Sequence, residues 1–225
     1  FVDDHTVAVD TAEGEKLFKA DRIFINTGAT PFVPPVEGLT IGGAIHTSET
    51  IMNLEEYPES LVIIGSGFIG LEFAATYAQF GTKVTVIDVT EAFLPREDED
   101  VAQAVKEQLE ALGVTFNLGV QLKAVHQEGG KAVVEATTAE GAPVAFTTDA
   151  VLVATGRRAN VQGLDLDKAG VELTERGAIK VNEFLQTNVP HIFAMGDVNG
   201  GPQFTFVSLD DFRIVKRFLA GDTTY

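Results

Sequence analysis

Residues 61–88 read LVIIGSGFIGLEFAATYAQFGTKVTVID, and this stretch decides the fold of the chain. LVIIG is an unbroken apolar run, which is typical of a parallel strand buried on both faces. IGLEFAATYAQF follows with strong helix formers and ends at Gly81, a residue suited to a helix C-terminal cap. KVTVID then alternates as a second strand that ends on Asp88. The order of strand, glycine turn, helix, strand and acid predicts a Rossmann-like α/β unit with a parallel sheet.

Three glycines between the first strand and the helix form a G-x-G-x-x-G motif. Gly65 would let the chain turn tightly, Gly67 would let a pyrophosphate approach the backbone, and Gly70 would let the helix lie close to the sheet. The helix start would offer N–H groups and a positive dipole end to the phosphates. A glycine-rich turn that only packs is the alternative. The two strands, the helix and the terminal acid together favour a bound dinucleotide.

Asp88 bears on the choice of dinucleotide. It lies 18 residues after Gly70, where a carboxylate can accept hydrogen bonds from both ribose hydroxyls of an adenosine. The same carboxylate would repel the 2′-phosphate of NADPH. Residues 89–94 contain no Arg or Lys to bind that phosphate. Arg96 is the nearest base, and it would oppose the preference if its loop folded back toward the site. The sequence therefore predicts that NADH is preferred over NADPH.

Composition excludes several other classes. The chain has 225 residues and a formal net charge of −17, from 33 acidic and 16 basic side chains. A nucleic-acid binder needs the opposite balance, and an acidic surface also disfavours anionic membranes. No apolar run approaches the ~20 residues of a membrane helix. There is no cysteine, so no thiol chemistry is available in these residues. We expect a cytoplasmic protein without nucleic-acid or membrane partners.

Two segments of the chain resemble each other. DRIFINTGATP (21–31) and DAVLVATGRRAN (149–160) each contain an acid, an apolar strand and then Thr-Gly. The second follows KAVVEATTAEGAPVAFTTDA (131–150), which reads as a β-meander with a turn near Gly141. Chance similarity is the alternative to a true repeat. Read as a repeat, the pattern predicts two nucleotide-binding domains, of which the first would have its glycine motif before Phe1, in a longer protein.

The remaining segments complete the outline. TPFVPPVEGL (30–39) is predicted to be an extended linker. DEDVAQAVKEQLEAL (98–112) predicts a helix, and FTFVSLDDFRIVKRFLAG (204–221) predicts a closing helix. The core-facing residues expected on these helices are Val101, Val105, Leu109 and Leu112 on the first, and Phe206, Leu209, Phe212, Ile214 and Val215 on the second. The acids at 97–100 are read as a helix start and solvated surface rather than a metal site.

The histidines give no sign of a metal site. His5, His46, His126 and His191 are scattered and lack the spacing of metal ligands. We expect structural or surface roles for them and no bound metal.

Taken together, the motifs resemble those of the flavoprotein pyridine nucleotide–disulfide oxidoreductases, which include lipoamide dehydrogenase, glutathione reductase and mercuric reductase. The matching pieces are INTGATP (25–31), IIGSGFIGLEFA (63–74), ATGRRAN (154–160) and FAMGDV (193–198), and they cover essentially the whole chain. The ending GPQFTFVSLDDFRIV (201–215) resembles the branch that reduces reactive chlorine species or hypothiocyanous acid.

The resemblance implies an NAD-binding domain at 47–160, inserted between two pieces of a similar FAD-binding domain at 1–46 and 161–225. It implies NAD-binding roles for Gly65, Ser66, Gly67, Phe68, Ile69, Gly70, Glu72, Asp88, Val120 and Gly156. It implies FAD-binding roles for Thr27, Gly28, Ala29, Asp197, Gln203, Phe204, Thr205 and Phe206. Phe68 matches the family's aromatic lid over the flavin, with a core position as the alternative, and Asp197 could instead cap a turn.

The resemblance also implies what these residues lack. The family's first FAD motif, its redox Cys-x-x-x-x-Cys and its C-terminal dimer domain with a catalytic histidine all lie outside this sequence. The chain would be the central portion of a homodimeric, FAD-dependent NAD(P)H oxidoreductase acting on a small-molecule or disulfide substrate, with no catalytic residue of its own. An NADH oxidase or ferredoxin-reductase-type flavoenzyme, or a stand-alone NAD-binding module, remains the alternative.

Overall fold

A computed structural model describes residues 1–224 of the chain. The strands are β1 Thr6–Thr11, β2 Gly14–Lys19, β3 Ile23–Ile25, β4 Ala29–Pro31, β5 Ile45–Thr47, β6 Ser60–Ile64, β7 Lys83–Ile87, β8 Thr115–Asn117, β9 Gln121–Glu128, β10 Lys131–Thr137, β11 Pro143–Thr148, β12 Ala150–Val153, β13 Arg157–Ala159 and β14 Ile192–Ala194. The helices are α1 Phe68–Gln79, α2 Glu99–Ala111 and α3 Thr205–Leu219, and short 3₁₀ turns span Ile51–Asn53 and Gly196–Asn199.

The chain forms two compact units. The central unit is residues 31–156, and the flanking unit is residues 1–30 with those from 157 onward. From the sequence we expect residues 31–46 to belong with the first segment, whereas in the structure they pack in the central unit. Two backbone contacts explain the difference: β5 pairs in parallel with β12, and the N–H of Val125 donates to the carbonyl of Glu37 at 2.8 Å.

The central unit is built on a parallel sheet with the strand order β5-β12-β6-β7-β8. Alternate residues of β6 enter different cores: Val62 and Ile64 pack on one face, and Leu61 and Ile63 on the other. This two-sided burial explains the unbroken apolar run and confirms the predicted parallel strand. The strand order reverses between β6 and β12, and in open α/β sheets that point is where ligands bind.

Helices cover one face of the parallel sheet. α1 links β6 to β7, and Gly81 follows it with a φ of +91°, as expected of a left-handed cap residue. α2 buries Ala102 and Leu109, but Val101 and Leu112 are exposed, so the expected apolar face was wrong at those two positions. The periodicity finds a helix but does not fix how much of its apolar stripe meets the sheet. The acids at 97–100 are exposed, with Glu99 and Asp100 in the first turn of α2.

The other sheet face is covered by an antiparallel meander with the order β9-β10-β11. Its second turn contains Gly141, which has a φ of +81°, as the sequence analysis expected. The strand β9 was not predicted, because QLKAVHQE mixes polar and apolar residues without regular alternation. Val125 of β9 and Val134 of β10 are buried against the sheet.

The flanking unit combines a β1–β2 hairpin with the pairs β3–β14 and β4–β13, and with α3. α3 packs through Val215, with Ile214 and Phe218 beside it. The expectation that Phe206, Leu209 and Phe212 face the core was wrong, since all three are exposed. The helix turns the buried carboxylate of Asp211 inward instead. Within residues 1–224, we find no helix long and apolar enough to cross a membrane.

Candidate nucleotide-binding site

Gly65 makes the turn out of β6. Its φ is +111°, a conformation that side-chain-bearing residues rarely adopt, and a Cβ there would lie 2.4 Å from the carbonyl oxygen of Ala154. The N–H of Gly65 donates to the carbonyl of Ile87 at 2.8 Å. Glycine is therefore required for both the backbone conformation and the close packing of the turn.

The other two motif glycines differ in their surroundings. A Cβ on Gly70 would lie 2.1 Å from the carbonyl oxygen of Gly65, so α1 can sit this close to the strand only with glycine there. A Cβ on Gly67 would meet nothing within 4 Å, and Gly67 borders an open cleft. Gly67 is the N-cap of α1, and no side chain caps the helix start. The open space at Gly67 fits a ligand phosphate group approaching the backbone.

Asp88, at the end of β7, is held by three hydrogen bonds. The N–H and hydroxyl of Ser66 donate to Oδ2 at 2.6 and 2.8 Å, and the N–H of Thr90 donates to Oδ1 at 2.8 Å. Burial on its own would raise the pKa of Asp88, but the hydrogen bonds from Thr90 and Ser66 outweigh it and lower the pKa below 3.8. The carboxylate is therefore ionised and fixed in orientation at neutral pH.

These groups line one cleft of about 670 Å³ in the central unit. Of the sequence-predicted NAD residues, the structure brings seven together in its lining: Gly65, Ser66, Gly67, Phe68, Asp88, Val120 and Gly156. Ile69, Gly70 and Glu72 do not line it: Gly70 is buried under the turn, and Glu72 is exposed. Phe68 is 53% exposed, so the core alternative for this residue is wrong.

The cleft also contains residues that were not predicted from the sequence to bind the dinucleotide. Thr90, Leu94, Arg96 and Glu97 lie along one side, in the loop between β7 and α2. The loop brings Arg96 into the same cleft as Asp88, which is the arrangement that would oppose a preference for NADH. Its place could not be read from sequence, because an irregular loop has no period that fixes the direction of its side chains.

Pro34 and Val36 of the predicted linker form another part of the cleft lining. The hydroxyl of Thr155 donates to the carbonyl of Phe32 at 2.7 Å, and the N–H of Phe32 donates to the carbonyl of Gly156 at 2.9 Å. The linker is thus held against the end of β12. Thr155 and Gly156 line this side of the cleft, and they bring backbone and hydroxyl groups to it rather than a charged group.

The sequence-predicted FAD residues all lie in the flanking unit. The hydroxyl of Thr27 donates to the carbonyl of Asn160 at 2.7 Å, and the N–H of Asn160 donates to the carbonyl of Gly28 at 2.9 Å. The guanidinium of Arg157 donates to the carbonyl of Ala29. Hydrogen bonds therefore connect the two segments that contain INTGATP and GRRAN.

A second element of the flanking unit centres on Gly196, which has a φ of +71°. Its N–H donates to the carboxylate of Asp211 at 2.7 Å, and the side-chain amide of Asn199 donates to the same oxygen at 3.0 Å. Asp211 is only 7% exposed and was missed in the sequence analysis. The sequence feature that could have identified Asp211 is its place as an acid at a core-facing position of an amphipathic helix. Among the described residues, the half-buried carboxylate of Asp197 makes no hydrogen bond of its own.

The start of α3 is open to solvent. Its sequence-predicted FAD residues are all exposed: Gln203, Phe204, Thr205 and Phe206. Phe204 is the N-cap, and no side chain hydrogen-bonds to the helix start. The rings of Phe204 and Phe206 stack with centroids 5.1 Å apart. This arrangement leaves an uncapped helix end beside two aromatic rings.

The histidines are not all scattered, as the sequence analysis supposed. His5 and His191 stack with ring centroids 3.8 Å apart and planes within 2°. Asp4 lies with them, so that one potential ligand atom from each of these three residues is within 4.8 Å of the others. His46 and His126 lie in the central unit instead.

The glycine turn, Asp88 at the end of β7 and the parallel sheet are the features of a Rossmann-like α/β fold. A family model for pyridine nucleotide-disulphide oxidoreductases matches residues 1–211, and the chain belongs to this family. The family resemblance and the α/β fold expected from sequence are therefore confirmed.

Individual relatives agree with that assignment. The probable pyridine nucleotide-disulfide oxidoreductase RclA of Escherichia coli K12 is 40% identical over 222 residues, covering 99% of this chain and 49% of the relative. Dihydrolipoyl dehydrogenase of Bacillus subtilis 168 is 35% identical over 223 residues, covering 98% and 47%. The Cu(II) complex of the HOCl-induced flavoprotein disulfide reductase RclA from Escherichia coli superposes with a TM-score of 0.92 at 39% identity, covering 97% and 48%. The chain spans about half the length of these relatives.

Proposed function

We propose that this chain is the electron-entry portion of an FAD-dependent NAD(P)H oxidoreductase that reduces a disulfide or small-molecule substrate. The observation that carries the proposal is the cleft in which the glycine turn and Asp88 meet. Its geometry fits a dinucleotide: the turn needs glycine at Gly65, the helix packs through Gly70, and the space at Gly67 is open. Family membership, and the similarity to RclA, a flavoprotein disulfide reductase, support flavin and disulfide chemistry.

Different cleft residues would bind different parts of the dinucleotide. The backbone at Gly67 and the start of α1 would bind the pyrophosphate, and Asp88 would accept hydrogen bonds from the adenosine ribose. Val120 and Leu122 would pack against the adenine, since they add an apolar surface to the cleft. NADH would supply a hydride, and bound FAD would accept it and pass the electrons on to a redox disulfide outside this chain.

In the flanking unit, the proposed FAD contacts are the backbone at Thr27 and Gly28, the carboxylate of Asp197 and the start of α3. Gly28 has a φ of +71°, and a Cβ there would meet nothing within 4 Å, which leaves its backbone approachable. Asp197 has a carboxylate without a hydrogen bond in the described residues, so it can accept one from a hydroxyl of the cofactor. The redox cysteines, the catalytic histidine and the dimer contacts would come from the rest of a homodimeric parent protein.

We further propose that NADH is preferred over NADPH. Asp88 is ionised, is held by Ser66 and Thr90, and lines the cleft at the end of β7, where it would face the adenosine ribose. A fixed carboxylate binds a free 2′-hydroxyl and repels a 2′-phosphate. A hydrogen bond to a charged group contributes about 1.5–3 kcal/mol, which corresponds to roughly tenfold to a hundredfold in affinity.

Calorimetric titration of the chain with NADH and NADPH tests the site and the preference together. Asp88→Asn should weaken NADH binding at least tenfold and should narrow the difference between the two cofactors. Asp167→Asn is the matched control, because Asp167 is an exposed acid of the flanking unit and does not line the cleft. Tighter binding of NADPH by the wild-type chain would overturn the preference, and equal NADH binding by wild type and Asp88→Asn would overturn the site.

Arg96 provides a second test of the same cleft. It lines the cleft, so its guanidinium can attract a 2′-phosphate that Asp88 repels. Arg96→Gln should therefore weaken NADPH binding several-fold while leaving NADH binding nearly unchanged. An equal loss for both cofactors would place Arg96 at the pyrophosphate instead of the ribose.

A further inference from the structure

The triad of Asp4, His5 and His191 lies in the flanking unit and has no part in the nucleotide cleft. Its members come from distant parts of the sequence: Asp4 and His5 precede β1, and His191 precedes β14. One nitrogen or carboxylate oxygen from each side chain lies within 4.8 Å of the other two. The stacked histidine rings bring two imidazoles together beside one carboxylate.

The hydrogen bonds of the two rings decide which ring nitrogen is available to an ion, and only His5 already has one available. Nδ1 of His5 lies 2.7 Å from the carbonyl of Ala20, and a carbonyl oxygen can only accept, so Nδ1 holds the proton. Nε2 of His5 then has its lone pair available. A backbone carbonyl that fixes the tautomer of a histidine in this way is the usual second-shell partner of a metal-binding imidazole.

His191 faces Asp4 through Nε2. This nitrogen donates to the backbone carbonyl of Asp4 at 2.7 Å and lies 3.9 Å from Oδ2 of the same residue. Ligation through Nε2 would move the ring proton to Nδ1 and release the Asp4 carbonyl. The carboxylate of Asp4 is about half exposed, so it can move toward the two rings without disturbing the core.

The donor set selects the kind of ion. Two imidazoles and one carboxylate suit late first-row divalent ions such as Zn²⁺, whereas Ca²⁺ and Mg²⁺ prefer oxygen ligands alone. Zn–N and Zn–O distances of about 2.0–2.2 Å place tetrahedral ligand atoms roughly 3.3 Å apart. The spacing of up to 4.8 Å therefore has to close by about 1.5 Å at most. Because the two ring planes are parallel within 2°, one ring also has to rotate out of the stack for both nitrogen lone pairs to face the same ion, while the carboxylate of Asp4 moves toward it.

We propose that Asp4, His5 and His191 form a binding site for a Zn²⁺-like divalent transition-metal ion. Three protein ligands leave a fourth position for water or for another ligand. The ion would tie the segment before β1 to the segment before β14, and so would stabilise the edge of the flanking unit. The proposal concerns a different unit from the nucleotide cleft and does not depend on its function.

Calorimetric titration of the tag-free chain with Zn²⁺ tests the site. The wild-type chain should bind one Zn²⁺, and His5→Gln and His191→Gln should each weaken that binding at least tenfold. Asp4→Asn should also weaken it, because an amide oxygen is a poorer ligand than a carboxylate. His46→Gln and His126→Gln are matched controls, since these histidines lie in the central unit, and both should bind Zn²⁺ as the wild type does.

Two further readouts separate ligation from a folding defect. Saturating Zn²⁺ should raise the melting temperature of the wild-type chain but not that of His5→Gln. Co²⁺ bound at the site should give visible ligand-field bands that both triad histidine variants lose and both control variants keep. The proposal is overturned if the wild type binds no stoichiometric Zn²⁺, or if the triad variants and the control variants bind it equally.

Discussion

At the residue scale, Ser66 orients the carboxylate of Asp88 and lowers its pKa, because its N–H and hydroxyl both donate to the same carboxylate oxygen. The folded-state pKa of Asp88 is lowered, so its contribution to the free energy of unfolding is complete above the unfolded value near 3.8. That contribution is lost as the pH falls through the lower folded pKa. Ser66→Ala removes one hydrogen bond from the carboxylate, so we expect the pKa of Asp88 to rise.

The expected result of Ser66→Ala is a loss of about 0.5–1.5 kcal/mol in unfolding free energy at pH 7. NADH affinity should fall several-fold, because the carboxylate is no longer held in one orientation. Urea unfolding at pH 7 and at pH 2.5, below the unfolded pKa, checks the linkage, since the difference from wild type should shrink in acid. Ser48→Ala, outside the cleft, serves as the control. A difference that grows in acid would contradict this account of Asp88.

Phe68 and Phe193 form a matched pair for a second residue-scale prediction. Phe68 is 53% exposed at the cleft, whereas Phe193 is 1% exposed in the core of the flanking unit. Phe68→Ala should leave the melting temperature nearly unchanged and alter NADH binding, as expected of a residue that covers the site. Phe193→Ala should cost about 3–5 kcal/mol of stability. A large fall in melting temperature for Phe68→Ala with unchanged NADH affinity would refute the lid assignment.

The glycine turn between β6 and α1 gives an element-scale prediction, because its glycines serve different purposes. Gly67→Ala adds a methyl group to open space, so stability should change by about 1 kcal/mol or less while NADH binding is lost. Gly70→Ala places a methyl group 2.1 Å from the Gly65 carbonyl, so it should cost about 1–3 kcal/mol as helix and strand are pushed apart. Urea unfolding and NADH calorimetry on both variants separate the two roles. Equal destabilisation by both substitutions would show that the turn only packs.

α3 gives the second prediction at this scale through two neighbouring acids. Asp211 is buried and accepts the N–H of Gly196, whereas Asp210 is exposed. Asp211→Ala leaves that N–H without its acceptor and should cost about 1–3 kcal/mol or more. Asp210→Ala should change the unfolding free energy by no more than about 0.5 kcal/mol. Chemical denaturation of the pair is the measurement, and equal stabilities would show that Asp211 does not hold the turn.

The elements also show what the sequence could predict. β6, α1 and β7 follow from local patterns, since a buried strand must be apolar throughout and its glycine turn needs special backbone angles. The exposed Phe206, Leu209 and Phe212 could not be predicted, because periodicity marks an apolar stripe without naming what covers it. The residues of the two candidate sites also divide into those that the sequence could predict and those that it could not. Asp88 was found from its spacing, but Arg96 and the pairing of His5 with His191 depend on contacts between segments that have no sequence pattern.

At the scale of the whole molecule, the net negative charge opposes self-association, whereas the exposed apolar side chains favour it. The net charge of −17 favours solubility through mutual repulsion. The flanking unit nevertheless exposes Leu17 and Phe18 on β2, together with Leu209 and Phe212 on α3. Exposed apolar surface of this kind is typical of an interface. We therefore expect the chain to self-associate more strongly as salt screens the repulsion, which sedimentation velocity at low and high ionic strength can measure.

The last prediction is that the purified chain binds NADH but carries little or no FAD and reduces no disulfide. The sequence has one G-x-G-x-x-G motif, and the structure places it in the cleft with Asp88. The flanking unit offers FAD the backbone at Thr27 and Gly28 and the carboxylate of Asp197, but the sequence has no second glycine motif for the pyrophosphate. Missing charge-assisted hydrogen bonds of about 1.5–3 kcal/mol each are enough to turn tight binding into weak binding. With no cysteine, the chain has no thiolate to pass electrons to a disulfide. A visible absorption spectrum and an NADH-dependent thiol-release assay, with calorimetry confirming NADH binding in the same sample, decide the matter. A stoichiometric flavin band or measurable thiol release would show that the FAD site is complete within these residues.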